Sequence, residues 1–437
     1  MAIVAATVEA RGVLGRAGGV IETTAVNGVQ IVCENIPYLR SVSFGIWINA
    51  GSRDEPDDKA GLFHFLEHLV FKGAAGRGAR AINVEIDELG GNVDAFTSRE
   101  TTAYIAHVLG ERLDQAFDLV ADLTLDSVFP EEEIEKERQI ILDEIRMGED
   151  NPTESIFDRL YPLRWPGHPL GRPITGSEET VNAITRDDIV RARDIFYRPP
   201  RLFISASGNV TLEKMKKLVE RRFGGMGQGA PIERPSSPPQ IKTGGQIVNK
   251  PLEQAHIVLS VPGVRMASRR RNQMAILNTI LGGGASSRLF QKIREEMGLV
   301  YSIHSFFEQY VETGIFGIYA ACAPDLLEKV WSATLEEMEG IIKNPPSHEE
   351  LVRAKSMSVG ALKMSFESPN ARMSQMALQE MYYGKALSRD EMIEEINEVD
   401  ERGVCGLAES LLDGRQYTAL VLGPVKKGRD KMFRKWP

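Results

Sequence analysis

VNAITRDDIVRARDIFYRPPRLFISASGNV, residues 181–210, is the stretch whose reading decides the fold. INEVDERGVCGLAESLLDGRQYTALVLGPV, residues 396–425, repeats its plan without a gap. At a constant offset of 215, Asn182 falls on Asn397, Gly208 on Gly423 and Val210 on Val425. In each copy a helical pattern (187–196; 402–412) leads into a short apolar strand (202–207; 417–422). Earlier elements run in parallel. An apolar strand (42–49; 256–261) precedes a helix with one apolar face, and a second helix ends at glycine (Gly90-Gly91; Gly298). Long strand segments follow, then two more helices, the last starting after proline and acids at 130–132 and at 346–350. Few residues are identical, so the shared pattern and register carry the inference of duplication. Strands grouped with helix pairs, and the Thr- and Tyr-rich segment 96–108, predict an α+β fold. Each half would be a mainly antiparallel sheet packed with helices.

Between the copies lies GGMGQGAPIERPSSPPQIKTGG, residues 224–245, rich in Gly, Pro and Ser and without helical or strand periodicity. It reads as an exposed linker that lets the halves open and close. The expected domains are 1–223, the linker 224–245, and 246–437.

The 437 residues are 42% hydrophobic and 26% charged, enough for two large cores, with a net charge of −9. The longest basic run is Arg269-Arg270-Arg271, so nucleic acid is not an expected partner. No apolar stretch approaches the ~18 residues of a membrane span. Glu9, Arg11 and Arg16 stand where a signal peptide needs its apolar core. Cys33, Cys322 and Cys405 are few and far apart, which fits a reducing compartment and excludes a disulfide framework or a cysteine-based zinc site. A cytoplasmic protein is expected.

The chemistry concentrates in the first half, in Gly61-Leu-Phe-His64-Phe-Leu-Glu67-His68-Leu-Val-Phe-Lys72. The apolar positions make a strongly buried helix. His64 and His68, one turn apart, project from one face and can share a metal. Glu67 lies on the same side, where a carboxylate can take a proton from a water that the metal has made acidic. Two core histidines and a paired glutamate are the plainer alternative, and a third ligand decides between them. Candidates lie on the helix that starts after Pro130. On a helical wheel Ile134, Ile141 and Ile145 form one stripe, and Glu137 and Glu144 fall between that stripe and Ile140. Either glutamate completes a His₂Glu set with one open position, the arrangement of a catalytic zinc.

His64-Phe-Leu-Glu67-His68, followed by a glutamate seventy-odd residues on, resembles the inverted zinc motif of the pitrilysin/insulinase family of zinc peptidases, the inverzincins. The two-domain length resembles mitochondrial processing peptidase subunits and their bacterial relatives. Further matching segments are Gly90-Gly-Asn-Val-Asp94-Ala95-Phe96-Thr97-Ser-Arg-Glu, Gly167-His-Pro-Leu-Gly-Arg-Pro, and Ser287-Arg-Leu-Phe with Arg294-Glu-Glu-Met-Gly-Leu-Val-Tyr301.

The resemblance implies roles. His64, His68 and Glu144 would bind one zinc per chain, and Glu67 would be the general base. Glu137 would orient a ligand or the base. Asp94, Ala95, Phe96 and Thr97 would form an edge strand that pairs with the substrate backbone. The family commonly has Asn where this chain has Asp94, which adds a negative charge near the cleft. Arg294 and Tyr301 would contact substrate and stabilise the tetrahedral oxyanion. The second half reads Asn272-Gln-Met-Ala-Ile-Leu-Asn278 where the zinc helix would be, with no His. His107, His168, His256, His304 and His348 read as structural. Leu281-Gly-Gly-Gly284 lacks the Gly-Lys-Ser/Thr ending of a phosphate-binding loop.

The expected function is that of a zinc endopeptidase acting on short or unfolded polypeptides. A homodimer is expected, with Arg294 and Tyr301 supplied by the partner copy. The rival reading is a non-catalytic or regulatory subunit of a heterodimeric peptidase or assembly complex. Such subunits typically lose part of the zinc motif, which this chain keeps.

Overall fold

Runs of apolar, often β-branched residues build two large sheets, beside a small two-stranded one. The computed structural model describes residues 11–13, 19–231, 233–234, 237–412, 416–426 and 428–434. Glu9 and Arg16, and three positions of the expected linker (Ile232, Pro235 and Ser236), lie outside the described residues. The first sheet contains β1 (Arg11–Val13), β2 (Val20–Val26), β3 (Val29–Asn35), β4 (Ser41–Ile48), β5 (Asn92–Thr97), β6 (Thr102–Leu109) and β7 (Leu202–Gly208). Its order is β1-β2-β3-β7-β4-β6-β5, and only β3 and β7 run parallel. The second contains β8 (Gly244–Asn249), β9 (Ala255–Pro262), β10 (Val300–Gln309), β11 (Gly314–Cys322) and β12 (Thr418–Gly423). Its order is β8-β12-β9-β11-β10, with only β8 and β12 parallel. Both sheets therefore order their five core strands first, fifth, second, fourth, third. Shared topology of this detail is what a duplicated chain produces.

The division into units differs from the expected boundaries. One unit comprises 1–145, 173–234 and 364–392; the other comprises 146–172, 235–363 and 393–437. Four helices matter here: α1 (Leu62–Leu69), α2 (Glu131–Asp150), α3 (Pro152–Arg164) and α4 (Pro369–Tyr383). Each sheet is apolar on both faces, and the helices of its own half cover only one. In the second unit, Ile156, Leu160 and Tyr161 of α3 pack with Val258, Tyr319 and Leu420. In the first, Met373 and Ala377 of α4 lie with Trp47 and Ala103, and Met376 with Ile21 and Val32. Each half of the sequence thus lends a helix to the sheet of the other.

The expected linker is also less free than its composition suggests. Its first part is bonded within the first unit, through Gly229 N–H to the Pro199 carbonyl (2.6 Å) and Arg201 Nε to the Ala230 carbonyl (2.8 Å). Its later part is bonded within the second, where Lys242 N–H donates to the Arg164 carbonyl and Gly244 already belongs to β8. Pro and Ser removed regular secondary structure here without removing attachment. No described helix is long and apolar enough to cross a membrane. The three cysteines are free.

Candidate metal centre

The metal helix α1 is fixed at its start before its side chains are considered. Gly61 precedes it with φ of 95°, and a Cβ there would sit 2.5 Å from the Thr175 carbonyl oxygen, so only glycine fits. Buried Glu55 then accepts the Gly61 and Phe63 N–H groups at 2.9 and 2.7 Å, satisfying donors that a helix N-terminus leaves open. Phe63, Phe65, Leu66 and Leu69 anchor α1 in the core. With those side chains buried, His64 and His68 share the face toward α2, their rings 4.7 Å apart.

On α2, Ile134 and Ile141 are buried and Ile145 packs against the same core, while Ile140 is exposed. The carboxylates sit on the border, as the wheel predicts. Glu144 is 48% exposed at its side chain, and its Oε2 lies 3.7 Å from both His64 Nε2 and His68 Nε2. One ligand atom from each of the three residues falls within 4.8 Å of the others. Two ligands on a tetrahedral zinc lie about 3.4 Å apart, given bonds of about 2.1 Å. At 3.7 Å the contacts are too long for hydrogen bonds, so they are not what holds the three groups together. Burial, and then the neighbouring His68, push His64 down to about 4, so its ring is neutral at pH 7, the form that binds a metal. Its buried Nδ1 has no hydrogen-bond partner among the described residues. The donor set and spacing fit zinc.

Glu137 stands apart from this trio. It is 4% exposed, with Oε2 3.1 Å from His68 Nδ1 and Oε1 2.8 Å from Lys72 Nζ. Glu67 is half-buried beside the edge strand β5, where the Thr97 hydroxyl donates to the Phe63 carbonyl at 3.4 Å. Burial raises it above the ordinary carboxylate range, and Glu144 and Asp94 add to that. Thr97 and His68 pull the other way. Asp94, Ala95, Phe96 and Thr97 all lie on β5, which ends the sheet and pairs with β6 alone among the described residues. Val93 and Ala95 pack against the core, while Phe96 rests edge-on against Trp47.

Arg294 and Tyr301 belong to the second unit and lie together there. Arg294 lies in the last turn of a wide helical segment, Phe290–Glu296, with its Cζ 4.6 Å from the Phe290 ring and 5.5 Å from the Tyr301 ring. The β10–β11 register slips between Val300 and Ser302, so Tyr301 is a bulge residue whose side chain is thrown out, 78% exposed.

Sequence reasoning missed Glu55 and gave Lys72 no role. Lys72 had a signal, being one turn beyond His68 on the same side. Glu55 had none, because the loop that returns it to α1 has no periodic pattern.

Fold and site define a duplicated α+β chain with one His₂Glu constellation in an inverted HxxEH setting. The family model described as insulinase (peptidase family M16) matches residues 30–178, and that described as peptidase M16 inactive domain matches 183–358. An uncharacterized zinc protease of Streptomyces coelicolor is 37% identical over 94% of this chain and 90% of its own. The uncharacterized zinc protease YmxG of Bacillus subtilis is 37% identical over 91% and 97%. A protease from Helicobacter pylori has the same fold, with a TM-score of 0.84 at 20% identity, over 92% of this chain and 99% of that one. A Pseudomonas fluorescens structure described as a peptidase M16 inactive domain gives 0.85 at 19%, over 93% and 98%. The chain belongs to peptidase family M16, the insulinase family.

Proposed function

We propose that the protein is a zinc endopeptidase that cuts short or unfolded polypeptides, with one zinc held by His64, His68 and Glu144. The observation that carries the reading is the convergence of those three ligand atoms beside a half-buried, unligated Glu67. Zinc at this position supplies a Lewis acid and a water acidic enough to ionise near neutral pH. Glu67 accepts the proton of the attacking water and returns it to the leaving amine. Glu137 fixes the His68 ring by its Nδ1. The open edge of β5 pairs with the substrate backbone over Asp94–Thr97. Arg294 and Tyr301 of a second copy of the chain stabilise the oxyanion in a homodimer, with each donor available on an exposed surface. The free cysteines accord with work in the cytoplasm. The match to the inactive-domain model starts at residue 183, after every residue of the His₂Glu group and Glu67, so it describes the part of the chain without the metal residues.

The test is cleavage of a long unstructured peptide by zinc-loaded protein beside Glu67→Gln. Activity confined to wild type, lost on chelation and restored by zinc, supports the reading. A folded, zinc-bound wild type as inert as the variant defeats it and favours a non-catalytic subunit.

A further inference from the structure

Arg234 sits in the middle of the segment read from composition as an exposed linker, yet its side chain is only 7% exposed. It grips three separate pieces of the first unit. Its Nε and Nη2 reach the two Asp54 carboxylate oxygens at 3.2 and 2.7 Å, a bidentate pair. Its Nη1 donates to Asn49 Oδ1 at 2.9 Å, just past β4, and its Nη2 also to the Glu100 carbonyl at 2.9 Å, in the turn that closes β5. Asp54 holds Arg234 protonated, above the ordinary arginine value despite burial.

What these partners do gives Arg234 its importance. Asp54 is followed at once by Glu55, whose carboxylate caps α1. The loop 51–55 is laid against the turn 98–101 by backbone bonds from Ser52 to Ser98 and from Arg53 to Arg99. A Cβ on Gly51 would come within 2.3 Å of the Ser98 carbonyl oxygen, so the two pieces are in close contact. Arg53 forms a buried ion pair with Glu100, which also accepts from Tyr382 of α4. The same turn leads back into Thr97, whose hydroxyl donates to the Phe63 carbonyl of α1. Loop and turn therefore govern the metal helix and the edge strand respectively, and Arg234 spans both.

We infer that Arg234 is a positioning residue for the metal centre, clamping the loop that caps α1 to the turn that closes β5. This rests on the reading of the site as a zinc centre. The attachment of a segment that looks like a spacer thus sets the alignment of His64, Glu67 and His68 with the edge strand. A rigid bidentate arginine suits that task better than lysine, because its planar fork fixes direction as well as charge.

The test uses the full chain as Arg234→Gln and Arg234→Lys, with Arg221→Gln as the control for losing an exposed arginine–aspartate pair. Zinc affinity is read by competition with a chromophoric chelator, site geometry by the visible absorption of the Co²⁺-loaded protein, and then kcat and KM. All are taken where circular dichroism shows each variant folded. Arg234→Gln is expected to weaken zinc binding about tenfold, the low end for residues that orient ligands. It should alter the Co²⁺ spectrum and lower kcat more than it raises KM. Arg234→Lys should fall between it and wild type, and Arg221→Gln should match wild type. A lowered melting temperature with zinc affinity, spectrum and kcat within twofold of wild type overturns the inference. If Arg234→Gln does not fold, wild-type values for Arg234→Lys overturn it equally. Failure of the wild type to bind zinc refutes the zinc-centre reading itself, and this inference with it.

Discussion

Glu137 Oε2 lies 3.1 Å from His68 Nδ1, and the Nε2 of that ring lies 3.7 Å from Glu144. The carboxylate accepts, so Nδ1 carries a proton, and Nε2 is left as the nitrogen that faces Glu144 and His64 and can ligate a metal. Lys72 fills the other Glu137 oxygen at 2.8 Å and balances its charge in a buried place. Glu137→Gln keeps the shape but offers an amide whose NH₂ can face His68. Zinc affinity should fall by about 10- to 100-fold. Chelator competition on the folded variant checks this, and an unchanged affinity would remove Glu137 from the orientation of His68.

Glu55 makes a different kind of prediction, one of stability. Its two oxygens each take one N–H at the start of α1, and it is buried. Glu55→Ala strands both donors in the interior. A loss of about 2–4 kcal/mol is expected, from two charge-assisted bonds of about 1.5–3 kcal/mol each, partly offset by relaxation. Denaturant unfolding of the metal-free protein measures it. A loss below 1 kcal/mol would mean that water replaces the cap without penalty.

The candidate metal group was legible because one helix carries His64, Glu67 and His68 at helical spacing, and a second carries Glu137 and Glu144 two turns apart. The duplication was legible for a similar reason, since each strand announces itself within a few residues; the order of the strands in each sheet was not. Two further features were not. The apolar stripe of α4 shows that Met373 and Met376 need a covering surface, but nothing local says that the surface is the sheet holding Trp47. Arg234 stands among Pro and Ser, where an arginine reads as solvated, and its partner Asp54 is 180 residues away. Periodicity reports burial within an element and is silent about which distant element supplies the burial.

The exchange of α4 carries its own test. Glu34, on β3, is 1% exposed and accepts from Arg372 Nε at 3.1 Å and Arg389 Nε at 3.2 Å. Removing the carboxylate charge leaves the buried Arg372 guanidinium without its counter-ion. Glu34→Gln should cost about 3–5 kcal/mol. Protease protection of the 364–392 segment should fall with it, because that segment is what the pair attaches. Full protection alongside lost stability would mean that the apolar contacts of Met373 and Met376 hold α4 unaided.

Glu350 supplies a pH dependence in the second unit. Arg288 donates to both of its oxygens, from Nε at 2.7 Å and Nη2 at 2.9 Å, and the Ser347 N–H donates at 2.8 Å. Chiefly through the Arg288 bond, and against its partial burial, the carboxyl is lowered from 4.5 to about 2. A folded value below the unfolded one means stability that is fully present above the unfolded pKa and lost as pH falls through the folded one. Wild type should therefore exceed Glu350→Gln in unfolding midpoint by a constant margin from pH 7 to 5. That margin should shrink below about pH 4.5 and close near pH 2, the two ends of the shift. Thermal scans of both proteins across that range decide it. A margin that stays constant down to pH 2 would show that Glu350 acts through hydrogen bonding that needs no charge, such as that from the Ser347 N–H, rather than through its ion pair with Arg288.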